Sequence, residues 1–262
     1  MSKRAEEILD QVNYNTWNRS KTVKSYSRKE SLQKPEEVIF EKLSKDILGK
    51  KLLDIGVGTG RTVPYVTQFS DDYLGIDYSP AMVQECKTKY PERSFVCLDA
   101  RDMSVFKNET FDFILFSYNG IDCVSHPDRI LILQEIFRVL KTNGYFVFSS
   151  HNRDVNNPEG IHNIQRPWLF NPVKWLGRFL RYGEGVYRHL KNKRYEIDEE
   201  EYAIINDSGV NYALLIYYIS SKAQIKQLRT IGFNKTIQVF NSNGEEIDQD
   251  DQSPWLYYLV VK

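Results

Sequence analysis

The sequence lacks the features that mark secreted, membrane-spanning and metal-binding proteins. It has only three cysteines, Cys86, Cys97 and Cys123, and none of them shows CxxC spacing. An odd number of thiols without that spacing predicts neither a disulfide framework nor a zinc cluster. No apolar run approaches the roughly 18 residues of a spanning helix, and the first ten residues do not have the pattern of a signal peptide. We therefore expect a cytoplasmic protein with reduced thiols and no metal site.

An excess of charge of either sign is also missing. The 35 Lys and Arg residues balance 35 Asp and Glu residues, which argues against general binding to polyanions. The charge is nevertheless unevenly distributed, because residues 152–195 carry nine basic and three acidic side chains whereas residues 196–262 carry five and eleven. With 41% hydrophobic and 27% charged residues, the chain can bury a sizeable core. The basic segment is where we expect the substrate-binding part to differ from the rest.

Short apolar runs alternate with helical patterns in the middle of the chain. Helix signals appear at Ser79-Pro80 and over residues 127–140, which Asn143-Gly144 follows. The apolar runs predict five strands that are buried on both faces, at 52–55, 73–77, 95–98, 113–116 and 145–148. This repeated order of strand, helix and strand predicts an α/β fold with a doubly wound sheet.

The flanking segments extend this core into four expected regions. Residues 1–49 are expected to form an N-terminal helical lid, 50–151 the core, 152–211 an insertion that covers the substrate, and 212–262 the C-terminal completion of the sheet. Within the last region we predict a strand over Tyr212–Ser220, a helix over 222–230 and strands over 236–240 and 255–261. Within the insertion we predict an amphipathic helix over 171–182.

Polar and glycine-rich segments follow the first three predicted strands. The first strand is followed by Asp54-Ile55-Gly56-Val57-Gly58-Thr59-Gly60, in which glycines let the backbone turn tightly and approach a ligand. Its spacing is GxGxG and not the GxGxxG of dinucleotide-binding loops. Asp77 ends the second strand, where a carboxylate can bind ribose hydroxyls, and Asp99-Ala100 ends the third, where it can read an adenine amine. The three strand ends together predict a nucleoside-binding edge.

With these motifs in place, residues from about 50 to 151 resemble the class I S-adenosylmethionine-dependent methyltransferases. LLDIGVGTGR, YLGIDYSPAMV and FVCLDARDM are similar to the family's first three motifs, and FDFILFSYNGID and IFRVLKTNGYFVFSSHN to its segments around the fourth and fifth strands. IKQLRTIGF and WLYYLVVK are similar to its last helix and antiparallel strand pair. The resemblance implies a Rossmann-like, seven-stranded sheet and S-adenosylmethionine as the cofactor. Residues 152–211 lie outside the resemblance.

The resemblance also implies the cofactor contacts. The methionine part of the cofactor would face the glycine loop, and the ribose would bind Asp77. The adenine would lie against Tyr78 and Met82, with its edge near Asp99 and Ala100. Residues 117–119 would close the pocket near the sulfonium. Trp17 and Tyr26 would close it from the N-terminal side. Asp54 could instead orient the loop without touching the cofactor, and Trp17 could simply pack its helix on the sheet. The full predicted set is Tyr26, Asp54, Gly56, Gly58, Thr59, Gly60, Asp77, Tyr78, Met82, Asp99, Ala100, Ser117 and Asn119.

A general base is needed only for some acceptors. A hydroxyl acceptor must lose a proton during methyl transfer, whereas a neutral amine need not lose one beforehand. His151 directly follows the fifth strand, on the rim where the acceptor would sit, and histidine commonly serves as a base near neutral pH. Asp122 and Tyr118, beyond the fourth strand, are further catalytic candidates. His151 could alternatively only shape a loop, and we expect His126 to cap the helix that begins near Pro127.

These inferences predict a methyltransferase that acts on an oxygen or nitrogen of a small molecule. The acceptor could be an anionic sugar, a lipid or a peptide natural product, and the alternatives are a non-catalytic binding protein and a nucleic-acid methyltransferase. Nucleic acid is not expected, because Ser117-Tyr118-Asn119-Gly120 stands where similar enzymes acting on flipped bases have a proline-rich tetrapeptide. The basic helix over 171–182 could cover an anionic acceptor, touch a membrane surface or be a solvated helix. The sequence does not indicate an oligomeric state.

Overall fold

The computed structural model describes residues 3–155, 172–248 and 251–262. Three helices precede the sheet, α1 (Lys3–Trp17), α2 (Ser20–Tyr26) and α3 (Lys34–Leu43). The start of α3 is fixed by a capping box, in which Gln33 and Glu36 each bind the other's backbone N–H. These helices confirm the helical pattern expected for the N-terminal region.

The middle of the chain alternates strands and helices as the sequence predicts. The elements are β1 (Leu52–Ile55), α4 (Val63–Val66), β2 (Tyr73–Asp77), α5 (Pro80–Lys89), β3 (Ser94–Cys97), β4 (Phe111–Phe116), α6 (His126–Val139) and β5 (Leu140–Asn152). Ser79 caps α5 by accepting a hydrogen bond from the backbone N–H of Met82. Ser125 caps α6 in the same way, so the expectation that His126 is the cap was wrong. A serine hydroxyl fits between the free N–H groups of a first turn better than an imidazole does.

The C-terminal part adds two helices and six strands in the described residues. The elements are α7 (Pro172–Asn192), β6 (Ile197–Asp198), β7 (Tyr202–Ile205), β8 (Ile216–Ile219), α8 (Ser221–Ile231), β9 (Ile237–Phe240), β10 (Glu246–Ile247) and β11 (Trp255–Val261). α7 continues ten residues beyond the predicted end at Tyr182. Asn171, the predicted first residue, lies outside the described residues.

The strands form one mixed sheet with the order β10-β9-β11-β5-β4-β1-β2-β3. Pairing is parallel from β3 to β5, and β11 and β9 add the antiparallel C-terminal pair. These seven strands confirm the predicted fold class. The described sheet nevertheless has eleven strands rather than seven, because β10 extends one edge and β6, β7 and β8 form an additional branch.

The branch arises because β5 is longer than its neighbour β4. β4 pairs with β5 only as far as Phe148, whereas β5 continues to Asn152. β11 occupies the other edge at His151, so β8 pairs in parallel with His151 and Asn152 on the edge that β4 leaves free. This pairing brings the chain that follows α7 to the end of β5.

The predicted strand over Tyr212–Ser220 was too long. Only Ile216–Ile219 forms β8, because Val210, Asn211 and Tyr212 adopt left-handed backbone conformations with φ of 49°, 58° and 58°. Such angles interrupt extended structure, and they are unusual for a β-branched residue such as valine. The apolar residues before β8 therefore form a bent segment rather than a strand.

Apolar side chains cover both faces of the sheet. One cluster joins α6 and α8 to the strands through residues such as Ile136 and Leu228, and the other joins α3 and α5 through Phe40 and Val83. Two layers of helices around a largely parallel sheet leave the ends of the strands as the open surface. The described residues contain no helix long and apolar enough to cross a membrane.

Candidate active site

A cavity opens at the carboxyl ends of β1, β2, β4 and β5. It brings together nearly all the residues that the sequence singled out, although they lie up to 134 positions apart. Of the predicted residues, the following line it: Tyr26, Asp54, Gly56, Gly58, Thr59, Asp77, Tyr78, Met82, Asp99, Ala100, Ser117, Tyr118, Asn119 and His151, together with Trp17. The cavity lining includes neither Gly60 nor Asp122. This edge is where open α/β sheets bind their ligands.

The glycine loop, which follows β1 and contains Gly56, Gly58 and Gly60, lines the cavity through Gly56 and Gly58. Gly56 and Gly58 have φ of 62° and 58°, a region that side chains rarely allow. A Cβ on Gly56 would lie 2.7 Å from the ring of Phe116, whereas a Cβ on Gly58 would have no neighbour closer than 3.8 Å. Gly58 therefore leaves space open at the cavity. Gly60 serves packing instead, because a Cβ there would lie 2.6 Å from Tyr90 of the neighbouring helix end.

Asp54 is a buried carboxyl group beneath this loop. Its Oδ2 accepts hydrogen bonds from the Thr62 hydroxyl at 2.6 Å and the Tyr73 hydroxyl at 3.1 Å. Burial raises the pKa of Asp54 to about 7, although both hydroxyls favour the ionised form. Asp54 thus ties the loop to α4 and β2, and it also lies at the cavity wall.

Asp77 is held at the end of β2 by two backbone N–H groups. Its Oδ2 accepts from Gly58 at 2.9 Å, and its Oδ1 accepts from Ser79 at 2.8 Å. Burial raises the pKa of Asp77 to about 6, against the effect of these two donors. Each carboxylate oxygen can accept more than one hydrogen bond, so both remain able to receive hydroxyl donors from the cavity.

Asp99, Tyr78 and Met82 line the part of the cavity where the sequence predicts the adenine. Asp99 forms an ion pair with Arg101, with its Oδ2 2.5 Å from Nη2, and it remains partly exposed. Tyr78 and Met82 lie beside it along the cavity. Within the described residues, the buried hydroxyl of Tyr78 has no hydrogen-bond partner.

His151 lies at the opposite end of the cavity in a fixed orientation. Its Nδ1 is 2.7 Å from Asp122 Oδ2, and its backbone N–H donates to the same oxygen at 2.7 Å. Its Nε2 lies 3.2 Å from the amide nitrogen of Asn119. Asp122 is fully buried behind His151, so it contacts the histidine and does not reach the cavity itself.

Arg129 is a buried residue next to Asp122 that the sequence interpretation missed. It is fully buried on α6, and its Nη1 lies 2.6 Å from Asp122 Oδ1. Its other donors bind Ser150 and Gln224, at 3.0 and 2.6 Å. An arginine at the start of an otherwise apolar helix face was the available signal, because a buried cation needs a buried partner.

The end of β4 bears two residues in left-handed conformations, Tyr118 and Asn119, with φ of 55° and 58°. Tyr118 meets two cations, since Lys29 Nζ lies 2.6 Å from its hydroxyl and the guanidinium of Arg61 lies 4.8 Å from its ring centre. Lys29 also lies over the ring of Tyr26, at 4.4 Å. The sequence interpretation missed both cations, which line the cavity and had no distinctive spacing.

Ser117 lines the cavity, and its hydroxyl is bonded to side chains of α3 and β11. Its hydroxyl bonds to the fully buried Glu36 and to the Tyr257 hydroxyl, the latter at 3.0 Å. Glu36 in turn forms a bidentate pair with Arg61, at 2.6 and 2.7 Å. This network fixes the N-terminal helices to the glycine loop and to β11.

The fold and the cavity define a nucleoside-cofactor-binding α/β protein. Residues 53–148 match the family described as the methyltransferase domain. This part of the chain is thus similar to S-adenosylmethionine-dependent methyltransferases, and S-adenosylmethionine is the cofactor of these enzymes.

Curated relatives match parts of the chain. The probable phthiotriol/phenolphthiotriol dimycocerosates methyltransferase 2 of Mycobacterium ulcerans is 32% identical over 108 residues, which is 40% of each chain. The ubiquinone biosynthesis O-methyltransferase of Alkalilimnicola ehrlichii is 25% identical over 195 residues, covering 67% of this chain and 76% of that one. The first match thus spans less than half of the relative's length.

Among solved structures, the fold extends over the whole chain. The 1,6-didemethyltoxoflavin-N1-methyltransferase of Burkholderia thailandensis, solved with 1,6-didemethyltoxoflavin and S-adenosylhomocysteine, superposes with a TM-score of 0.60 at 11% identity. The superposition covers 100% of this chain and 91% of that one. At this identity the likeness shows the fold alone.

The residues present fit the cofactor. Gly58 leaves open space at the loop, and Asp77 presents a carboxylate held by two N–H groups. The buried Oδ1 of Asn119 has no hydrogen-bond partner among the described residues, so a polar acceptor remains unmatched beside His151. Such an atom is expected to find a partner when a ligand is bound.

Proposed function

We propose that the protein transfers a methyl group from S-adenosylmethionine to a hydroxyl oxygen of a small molecule, with His151 as the general base. The observation that carries this proposal is the 2.7 Å contact between His151 Nδ1 and the buried Asp122 at the cavity wall. A neutral amine acceptor does not need such a base, so the pair favours oxygen over nitrogen.

The proposed proton transfer follows from the orientation of His151. With the Nδ1–H donating to Asp122, Nε2 carries a lone pair that lies 3.2 Å from the Asn119 amide nitrogen. An acceptor hydroxyl that displaces this amide donor can give its proton to Nε2. Asp122 then stabilises the imidazolium, while Arg129 pairs with Asp122 and holds it in place. Bound S-adenosylmethionine supplies an activated methyl group on its sulfonium.

The remaining contribution of the protein is to align the reactants and exclude water. Holding two reactants in a productive geometry can lower the barrier by about 7–11 kcal/mol. Trp17 and Tyr26 pack edge to face at 5.1 Å and line the cavity from the N-terminal side. These contacts support the proposal that residues 1–49 form a lid.

The segment between α7 and β8 supports a role for residues 152–211 in covering the acceptor. Asp207, Gly209 and Val210 line the same cavity as His151. Tyr218, whose ring lies 4.9 Å from the His151 ring, donates a hydrogen bond to Asp207 at 2.5 Å. An acceptor here would meet apolar walls with one carboxylate and one histidine.

One relative supports an oxygen acceptor, since it is named as an O-methyltransferase of ubiquinone biosynthesis. A second, named as a demethylmenaquinone methyltransferase, supports only a small, quinone-like acceptor. A non-catalytic binding protein would have no need for an oriented buried pair of this kind. Nothing in the cavity favours a nucleic-acid acceptor.

The test is a labelled-methyl transfer screen against hydroxylated quinone-like lipids, phenols, sugars, amines and peptides. We expect transfer to a hydroxyl, and we expect His151→Ala to lower kcat about 10²- to 10⁴-fold while cofactor affinity stays unchanged. Asp122→Asn should also lower kcat, because the amide no longer fixes the Nδ1–H tautomer of His151. His126→Ala is the matched control, since this half-buried histidine bonds Tyr217 and lies outside the cavity.

The screen can contradict the proposal in two ways. Unchanged kcat of His151→Ala at saturating acceptor would remove His151 from the mechanism. Transfer to amines alone, with hydroxyl compounds inert, would exclude the oxygen acceptor.

A further inference from the structure

The unusual feature of α7 is that its polar side packs on the protein. Gly185 lies so close to Asn211 that a Cβ would be 2.7 Å from its Oδ1, and the Asn211 amide donates to the Arg181 carbonyl at 3.0 Å. His189 Nδ1 lies 3.1 Å from Asn206 Oδ1, and the Asn192 amide donates to the Tyr212 carbonyl at 3.1 Å. The helix is therefore attached to the 206–212 segment by polar contacts rather than by an apolar face.

The apolar side of α7 faces outward. Leu176, Leu180, Tyr187 and Leu190 follow one another at steps of four, seven and three, which places them on one stripe of the helix. Their exposed fractions are 55%, 63%, 66% and 70%. In a helix that only covers a soluble core, this stripe would face inward. An exposed stripe of this size marks an interaction surface.

The exposed charge near this stripe is positive. Lys191 lies at the edge of the stripe and Lys193 and Arg194 follow α7 directly, while the exposed Arg178 and Arg181 lie toward the opposite side of the helix. The one acid between residues 172 and 195, Glu184, pairs with Arg188. A helix with an apolar face and a basic rim is complementary to a bilayer with anionic headgroups, in which the apolar side chains insert and the cations meet phosphates.

We propose that α7 docks the protein on an anionic membrane surface. The segment that carries the helix, 206–212, also lines the cavity through Asp207, Gly209 and Val210. Docking would thus place the acceptor end of the cavity next to the lipid phase. The docking itself is independent of methyl transfer, whereas the consequence that the acceptor is a membrane-resident lipid rests on the proposed function.

The test uses the full chain and vesicles of phosphatidylcholine with or without phosphatidylglycerol, without methyl donor or acceptor. We expect the protein to co-sediment with the phosphatidylglycerol vesicles and to be released as salt is raised, because headgroup attraction is screened. Leu180→Glu should weaken vesicle binding by about tenfold or more, because a charge replaces an inserted apolar group. Leu48→Glu is the matched control. The exposed fraction of Leu48, 64%, is nearly equal to the 63% of Leu180, and Leu48 lies outside α7, near the end of the N-terminal region.

Four outcomes would overturn the docking. The first is the absence of co-sedimentation with phosphatidylglycerol vesicles, and the second is an equal loss of binding in both variants. The third is a wild-type dimer that Leu180→Glu converts to a monomer without any vesicle binding, because the stripe would then join two copies of the chain. The fourth is a melting temperature of Leu180→Glu below that of the wild type, together with no vesicle binding by the wild type, because the stripe would then pack within the chain itself. Since cofactor binding is measured separately, failure of the docking leaves the proposed methyl transfer standing.

Discussion

Arg129 shows how much of the site depends on one buried charge. The side chain is fully buried, and its Nη1 lies 2.6 Å from the equally buried Asp122. Removing one member of such a pair leaves the other as an uncompensated charge in the interior. Arg129 is therefore a positioning residue, since it reaches the cavity only through Asp122 and His151.

We expect Arg129→Met to lower the free energy of unfolding by about 3–5 kcal/mol. Urea unfolding monitored by circular dichroism measures this change. Arg93→Met is the control, because Arg93 pairs with the exposed Asp71 and such a pair contributes at most about 1 kcal/mol. Equal losses in the two variants would contradict the importance of the buried pair.

Asp54 makes the stability of the fold depend on pH near neutrality. Its pKa is about 7 in the folded protein, raised by burial from the value of 3.8 that an unfolded chain would show. Between these values the folded state holds a proton that the unfolded state has lost. The stability contributed by this protonation is consequently present at pH 5 and lost as the pH rises through about 7.

We expect the free energy of unfolding of the wild type, relative to Asp54→Asn, to fall by about 2–3 kcal/mol between pH 5 and pH 8. Chemical denaturation at several pH values measures the difference. Asp77, whose pKa is raised to about 6, acts in the same direction over a lower range and is present in both proteins. Parallel pH profiles for the two proteins would show that Asp54 does not titrate in this range.

At the scale of elements, α1 is attached to the sheet by buried polar side chains. The Asn13 amide donates to the carbonyls of Cys123 and Leu215, both at 2.8 Å, and accepts from the Leu215 N–H at 3.0 Å. The Thr16 hydroxyl donates to the Ala213 carbonyl at 2.9 Å. These contacts place Trp17, the last residue of α1, at the cavity.

We expect Asn13→Ala to detach α1 locally, because three buried backbone groups lose their partners at about 1–3 kcal/mol each. Hydrogen exchange of residues 3–17 should quicken while exchange in the central strands stays slow, and cofactor affinity should fall. Asn15→Ala is the control, because Asn15 is exposed on the same helix. Unchanged exchange in Asn13→Ala would mean that apolar packing alone holds the lid.

The branch strand β8 links the 206–212 segment to His151. It pairs with His151 at Tyr218, so the position of the proposed base and that of the proposed acceptor cover depend on the same strand pairing. The extra length of β5 makes this possible, since its last residues extend past the end of β4.

At the scale of the whole molecule, cofactor binding should stabilise the fold. A ligand that binds only the folded state adds about 2.7 kcal/mol at a concentration of about 100 times its Kd. We expect S-adenosylmethionine and S-adenosylhomocysteine to raise Tm by several degrees, measured by differential scanning fluorimetry. NAD is the control, because the GxGxG spacing differs from that of dinucleotide loops. A shift with NAD and none with the two methionine derivatives would contradict the assigned cofactor.

Local sequence patterns predict the seven core strands and the nucleoside-binding edge. Apolar runs of strand length, helix caps such as Ser79, and the order of Gly56, Asp77 and Asp99 are local signals, because each depends on neighbouring residues in the chain. Local patterns therefore sufficed to predict the seven core strands and the cavity residues that follow β1, β2 and β3.

The arrangement of side chains at the His151 end of the cavity, in contrast, becomes visible only in the folded structure. The contact from Arg129 through Asp122 to His151 joins residues of three elements, and no spacing in the sequence specifies which side chains meet in a buried site. The orientation of α7 was equally hidden, since an amphipathic pattern predicts two faces but not which one packs inward. That choice depends on the segment 206–212, whose polar groups bind the polar side of the helix and leave the apolar stripe exposed.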